Sequence, residues 1–337
     1  MRAFPELSYR GQLQRLGRLA RAALRAYDLE VSKIAAIGNY ENATFRVAGR
    51  LGDRAGTATF LLRVHRPGYH SRAEIESEML WLAALRASPE LSVPVAVAAR
   101  SGEHVVQDGA DGVPEPRYCS LLRWVPGRNL DRSLGPAHLT AIGRSMAALH
   151  RCSRGLDTPP GFTRPRWDLE ALIGSGGPWA VPATGSVAGS ADDRVLELAR
   201  ARARAELAAV SRDPRASGLI HADLHHGNYV FSAGRAHIID FDDCGFGFFA
   251  YDIAVALAHL RRRPDYESLR QALLGGYESV SAIPDVAALP ALLMARDLIM
   301  VKWVSGRLEN PRLRGAAPRI VERAVAGAKR YVDGDCR

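Results

Sequence analysis

From residue 13 to residue 29 apolar side chains recur at Leu13, Leu16, Leu19, Ala20, Ala23, Leu24 and Tyr27, the spacing of one face of an amphipathic helix. The period then changes. Ile34–Ile37, Thr44–Val47 and Thr57–Val64 read as strands. Ser71–Leu85 reads as a second helix, with Ile75, Met79 and Leu82 on an inward stripe and Glu74 and Glu78 on an adjoining one. Val93–Ala98, His104–Gln107 and the apolar run Tyr118–Val125 continue the strand series, which Pro126-Gly127 closes. Helical spacing dominates the remainder, at Gly135 to His150, Asp192–Arg212, Phe248–Leu260, Asp265–Val280, Leu289–Leu308 and Pro318–Val332. Strands followed by helices predict an α+β chain. Between the helices, Asp157–Ser190 is rich in Pro, Gly and Ser and carries Trp167 and Trp179, which are costly to leave in water and predict ordered packing or ligand contact.

Composition narrows the class. A chain of 337 residues buries an ample core, and its net charge of +9 is almost wholly arginine, the lysines being Lys33, Lys302 and Lys329. Positive charge favours polyanion partners, yet the arginines are spread out with no aromatic-basic run, so no nucleic-acid partner is expected. The same charge argues against a polycationic substrate. No apolar run has membrane-spanning length, and Met1–Arg25 lacks the apolar core of a signal peptide, so no membrane association and a cytoplasmic location are expected. Cys119, Cys152, Cys244 and Cys336 are scattered and indicate neither a zinc site nor a disulfide framework.

The chemistry concentrates in His221-Ala222-Asp223-Leu224-His225-His226-Gly227-Asn228 and, a hairpin later, Asp240-Phe241-Asp242. Two short strands, Tyr229–Phe231 and His237–Ile239, are joined by Ser232-Ala233-Gly234-Arg235, a turn that folds Asp240 back towards Asn228. Phosphoryl transfer needs that set. A γ-phosphoryl group in flight spreads negative charge over its oxygens, so the protein must supply cations and fix the acceptor hydroxyl in line. Asn228 and Asp240 are oxygen ligands suited to Mg²⁺, and Asp223 can take the proton of the attacking hydroxyl.

His221, Asp223, Asn228, Asp240 and Asp242 resemble the catalytic and metal-binding segments of the aminoglycoside phosphotransferase and choline kinase-like family, relatives of the eukaryotic protein kinases. The wording is most similar to the branch of stress-response kinases and type II homoserine kinases. The resemblance implies a bilobal protein-kinase-like fold, with a small antiparallel-sheet N-lobe that binds nucleotide and a larger, mostly helical C-lobe that holds the catalytic residues and acceptor. It makes Asp223 the base, Asn228, Asp240 and Asp242 the metal-binding set, and Asp252 a brace for the catalytic loop. His225 stands where protein kinases carry a lysine near the γ-phosphate, so a protonated imidazole there is one reading and a solvent-facing loop histidine the other.

In that fold the loop Gly38–Asn42 covers the nucleotide phosphates, placing Asn39 and Tyr40 there. Arg63 stands at the strand position of the usual phosphate-binding lysine and would pair with a helix glutamate, Glu78 in preference to Glu74. The main chain of Arg123, Trp124 and Val125 would meet the purine edge of ATP or GTP, while the Trp124 side chain suits a core position and an adenine platform equally. Gly245-Phe246-Gly247 runs straight towards the next helix and leaves little room to lay out a peptide. The expected reaction is therefore transfer to a small-molecule hydroxyl of antibiotic, amino alcohol or sugar type. A protein Ser/Thr kinase and an inactive nucleotide-binding module are the alternatives.

Overall fold

A computed structural model of the chain describes residues 3–39, 41–52, 56–130, 133–174, 190–210, 213–283, 285–308 and 311–334. It divides into two compact units, Met1–Gly127 with Asp157–Thr163, and Arg128–Leu156 with Arg164–Arg337.

The first unit opens with α1, Tyr9–Leu24, which starts earlier than its apolar stripe because the Ser8 side chain caps it, accepting the Gly11 N–H at 3.2 Å. It stops at Leu24 because Leu29 already opens a strand. β1 (Leu29–Asn39), β2 (Ala43–Leu51), β3 (Ala58–Val64), β4 (Val95–Val97), β5 (Val105–Asp108) and β6 (Arg117–Arg123) form one antiparallel sheet in the order β1-β2-β3-β6-β4, with β5 also on β6. Phe45, Val47, Phe60 and Leu62 point to one face and bury against Leu16 and Leu19 of α1. Each such side chain contributes about 1.5–3 kcal/mol. By the period of 2, Arg63 between Leu62 and Val64 faces the other way. α2, Arg72–Leu85, is set by a capping box in which Ser71 and Glu74 satisfy each other's backbone, which commits Glu74 locally.

The second unit is mostly helical: α3 (Pro136–Arg154), α4 (Leu169–Ile173), α5 (Ser190–Val210), α6 (Phe249–Ala258), α7 (Tyr266–Glu278), α8 (Leu289–Ser305) and α9 (Pro311–Asp333). α9 begins seven residues before Pro318, where the sequence pattern places its start, and Pro318 lies inside the helix. α3 crosses α7 so closely that a Cβ on Gly143 would collide with the Leu273 carbonyl oxygen, and one on Gly276 with that of Thr140. Short strands line the site. β7 (Arg166–Trp167) pairs parallel and β8 (Ser217–Ile220) antiparallel with β11 (Gly245–Phe248), while β9 (Tyr229–Ser232) and β10 (Arg235–Ile238) make the expected hairpin. Ala233 and Gly234 turn it with φ of 47° and 73°, which matches the twist of paired strands. Trp167 is buried, donates its indole N–H to the Asp243 carbonyl at 2.8 Å and stacks on Tyr251. Trp179 lies outside the described residues. Among the described residues no helix is long and apolar enough to cross a membrane.

Candidate active site

The chain leaving β8 makes the loop His221–Asn228 before returning as β9. Ala222 sits at φ 68°, a left-handed conformation that costs a residue with a Cβ about 1–3 kcal/mol. Asp252 of α6 offsets this, since its Oδ2 accepts the His221 N–H at 3.0 Å and its Oδ1 the Ala222 N–H at 2.7 Å. Asp252 is itself fully buried and meets His150 Nε2 at 3.0 Å, and burial holds the His150 imidazole below its ordinary pKa against the pull of that carboxylate. His221 completes the frame. Its Nδ1 accepts the Asp223 N–H at 3.3 Å, which leaves Nε2 to donate to the Ile239 carbonyl at 3.0 Å.

Inside this frame the Asn228 amide donates to the Asp223 carbonyl at 2.8 Å and to its Oδ2 at 3.2 Å, which turns the Asn228 amide oxygen away from Asp223. The Asn228 carbonyl accepts the Ile239 N–H at 3.0 Å, so Asp240 follows directly beside Asn228, as the hairpin predicts. Asp240 adopts φ 65° and is exposed. Asp242 is 7% exposed, and Arg164 binds the backbone carbonyls of Asp242 and Cys244.

Arg296 of α8 is the residue that the sequence reading missed. Its Nη2 donates to Asp223 Oδ1 at 2.7 Å, with side-chain exposures of 8% for Arg296 and 24% for Asp223. Burial alone would raise the Asp223 carboxyl, but the Arg296 guanidinium, aided by His225 and His221, outweighs it and holds the carboxyl below its ordinary pKa. No motif marks Arg296. It lies 73 residues from its partner.

His225 is fixed inside the loop at both ring nitrogens. Its Nδ1 accepts the Gly227 N–H at 2.9 Å, and its Nε2 faces Asp223 Oδ2 at 3.4 Å. Burial lowers its pKa more than Asp223 raises it, so the imidazole is neutral near pH 7. His226 and His259 pack around it with ring centroids 5.5 Å from that of His225, and burial beside Arg296 and these rings pushes His259 down to about 3.

In the first unit, Arg63 and Glu78 meet as expected, Nη1 lying 2.8 and 2.9 Å from the two carboxylate oxygens, with exposures of 2% and 0%. Asn39 ends β1 opposite Ala43, and Tyr40 lies outside the described residues. Arg123 ends β6. The Trp124 N–H donates to the Thr59 carbonyl at 3.0 Å, and its side chain is 36% exposed under the Arg46 guanidinium, which places it outside the core. Val125 follows as a half-buried residue outside regular structure.

The sequence matches the model of the phosphotransferase enzyme family over residues 33–291. The chain belongs to this family. A homoserine kinase of Azorhizobium caulinodans is 30% identical to it over 331 residues, 91% of this chain and 94% of that protein. The solved structure of a microcompartment-associated aminopropanol kinase is 31% identical and superposes with a TM-score of 0.81 over 94% of this chain and 97% of that one. An amicoumacin kinase solved with AMP-PNP and Ca²⁺ shares the fold at 20% identity, with a TM-score of 0.74 over 91% and 92% of the two chains. This phosphotransferase thus has the protein-kinase-like fold that the sequence implied, and its reaction is phosphoryl transfer from a nucleotide to a small-molecule hydroxyl, with a divalent metal.

Proposed function

We propose that this phosphotransferase moves the γ-phosphate of a purine nucleoside triphosphate, with Mg²⁺, to the hydroxyl of a small amino alcohol. The acceptor class rests on one observation, the 31% identity and full-length superposition with an aminopropanol kinase; the homoserine kinase also takes, by its name, a small acceptor bearing an amine and a hydroxyl. The short β11 strand leads directly into α6, which suits a small acceptor. A cytoplasmic location belongs to the same reading.

Residues 1–122 form the nucleotide-binding lobe and residues 123–337 the catalytic and acceptor lobe. Arg63, held by Glu78, forks phosphate oxygens where related kinases use lysine. Asn39 and Tyr40 cover the phosphates, and the main chain of Arg123, Trp124 and Val125 meets the purine. Asn228 and Asp240 present only oxygens, the donor set of a hard cation that keeps several waters, and Asp242 is the third candidate ligand. A bound Mg²⁺ would neutralise charge on the β- and γ-phosphate oxygens. Asp223 orients the acceptor hydroxyl. Because Arg296 holds its carboxyl low, Asp223 is a weak base, and the proton passes to it late, after bond formation to phosphorus has acidified the hydroxyl. His225 acts on Asp223 as a positioning residue through Nε2.

The test is nucleotide consumption by the purified protein with ATP or GTP against 1-amino-2-propanol, homoserine, ethanolamine, an aminoglycoside, a sugar and a protein substrate. Turnover confined to the amino alcohols is expected. Phosphate appearing only on protein, sugar or aminoglycoside overturns the acceptor class. Asp240→Ala should weaken metal–nucleotide binding and recover partly at high Mg²⁺; unchanged binding by calorimetry transfers the role to Asp242.

A further inference from the structure

Four arginines converge on a cavity of about 270 Å³ in the second unit that the proposed reaction does not use. Arg323 and Arg330 come from α9, and Arg261 and Arg262 from the link between α6 and α7. Residues 323, 326, 327 and 330 share one face of α9, while 290, 293, 294 and 297 share one face of α8, so the cavity is a groove between two helices closed at one end by the link. Arg296 stands about 100° round α8 from Asp297, on a different face, and turns to Asp223. The groove and the catalytic aspartate therefore use different sides of the same helix.

Charge in the groove is unbalanced. Asp297 neutralises Arg261, with Nη2 to Oδ1 at 2.6 Å. Among the described residues no carboxylate lines the cavity, and none forms an ion pair with Arg262, Arg323 or Arg330. Arg323 donates its Nε to the Arg319 carbonyl at 2.9 Å, and Arg330 interacts electrostatically with Asp297, which borders Gly327; four guanidinium groups still face this space against that one carboxylate. Leu293, Met294 and Ala326 give the same space an apolar wall. Its volume is at the lower edge of small-molecule sites.

We propose that this groove is a binding site for a small organic anion, one phosphate or carboxylate head on a short carbon body, distinct from the centre at Asp223. Guanidinium forks match both oxyanions, and the apolar wall takes the carbon body. The adjacent residues Arg296 and Asp297 link the two sites through α8, so an occupant that draws Arg261 from Asp297 acts one residue from the arginine that holds Asp223.

The experiment titrates the full chain, saturated with AMP-PNP and Mg²⁺ to fill the catalytic site, with inorganic phosphate and separately with succinate, followed by calorimetry. One further binding event is expected for at least one probe, weakened about tenfold or more in an Arg323→Ala/Arg330→Ala double variant. Both positions are exposed on α9, and alanine keeps the helix. Phosphate binding alone assigns a phosphoester head, and succinate binding alone a carboxylate. Should the double variant fail to fold, Arg323→Lys/Arg330→Lys keeps the charge, loses the forks, and must still weaken binding. Absence of binding by both probes, or binding by the folded variants as tight as by the wild type, overturns the proposal.

Discussion

Two arginine–carboxylate pairs, one in each unit, differ in how far they are sealed from solvent. Arg63 and Glu78 are sealed at 2% and 0% exposure, whereas Arg296 at 8% holds an Asp223 that stays 24% exposed. A sealed pair cannot exchange partners with an incoming substrate at its carboxylate, so under the proposed function Glu78 aims Arg63. In the open pair the guanidinium takes Oδ1 of Asp223, while Oδ2 accepts from the Asn228 amide and faces His225. Under the proposed function the working partner is the cation in the first unit and the anion in the second.

The largest effect that would break this comparison is at the open carboxylate. Asp223→Asn should lower turnover by roughly 10²- to 10⁴-fold with nucleotide affinity near wild type. Steady-state rates together with nucleotide titration check this, and wild-type turnover removes Asp223 from the mechanism.

Arg63→Ala should leave Glu78 as an unpaired buried charge and destabilise the fold by about 3–5 kcal/mol in denaturant unfolding, with a loss of nucleotide affinity besides. Arg63→Lys keeps the charge without the fork and should fall between that variant and the wild type in both measurements. If Arg63→Ala is as stable as the wild type, the sealed pair is not the scaffold element described above.

Arg296→Met sharpens the contrast through pH. The folded Asp223 carboxyl lies below its unfolded value, so the pair's contribution to stability is complete above the unfolded carboxylate pKa and is lost as pH falls through the folded one. Without the guanidinium, burial raises the carboxyl. The acidic limb of kcat/KM should therefore move to higher pH in Arg296→Met, and an unmoved limb means that another group sets it.

The smallest effect belongs to His225. His225→Gln retains a donor towards Asp223 and should change turnover by only a few-fold, about 1 kcal/mol or less. A neutral imidazole near pH 7 also predicts no loss of wild-type rate as pH rises through the ordinary histidine range. A rate that falls through that range restores the cationic reading.

What the chain order by itself determined is whatever local geometry fixes. Asp223, Asn228 and Asp240 lie within one loop and one hairpin, and the hairpin has a single good turn at Ala233-Gly234, so the sequence carries their proximity. Arg63 and Glu78 are 15 residues apart on a strand and the next helix, where alternation and helical spacing already select Glu78 once Glu74 is spent on the cap. Helix ends were less legible, as Ser8 and Pro311 show, because a cap or a tolerated internal proline outweighs the apolar stripe. Only the tertiary structure decided the partner of Asp223, the ring cluster of His225, His226 and His259, and the gathering of arginines from α9 and the α6–α7 link into one groove. Arg296 stands on a helix whose spacing reveals an inward face but not the neighbour that the face meets, and the others stand on loops or at exposed helix positions. Which charges share a site is settled when those helices pack, and packing is a property of volumes and close approaches, such as the glycine crossing of α3 and α7, that no local pattern records.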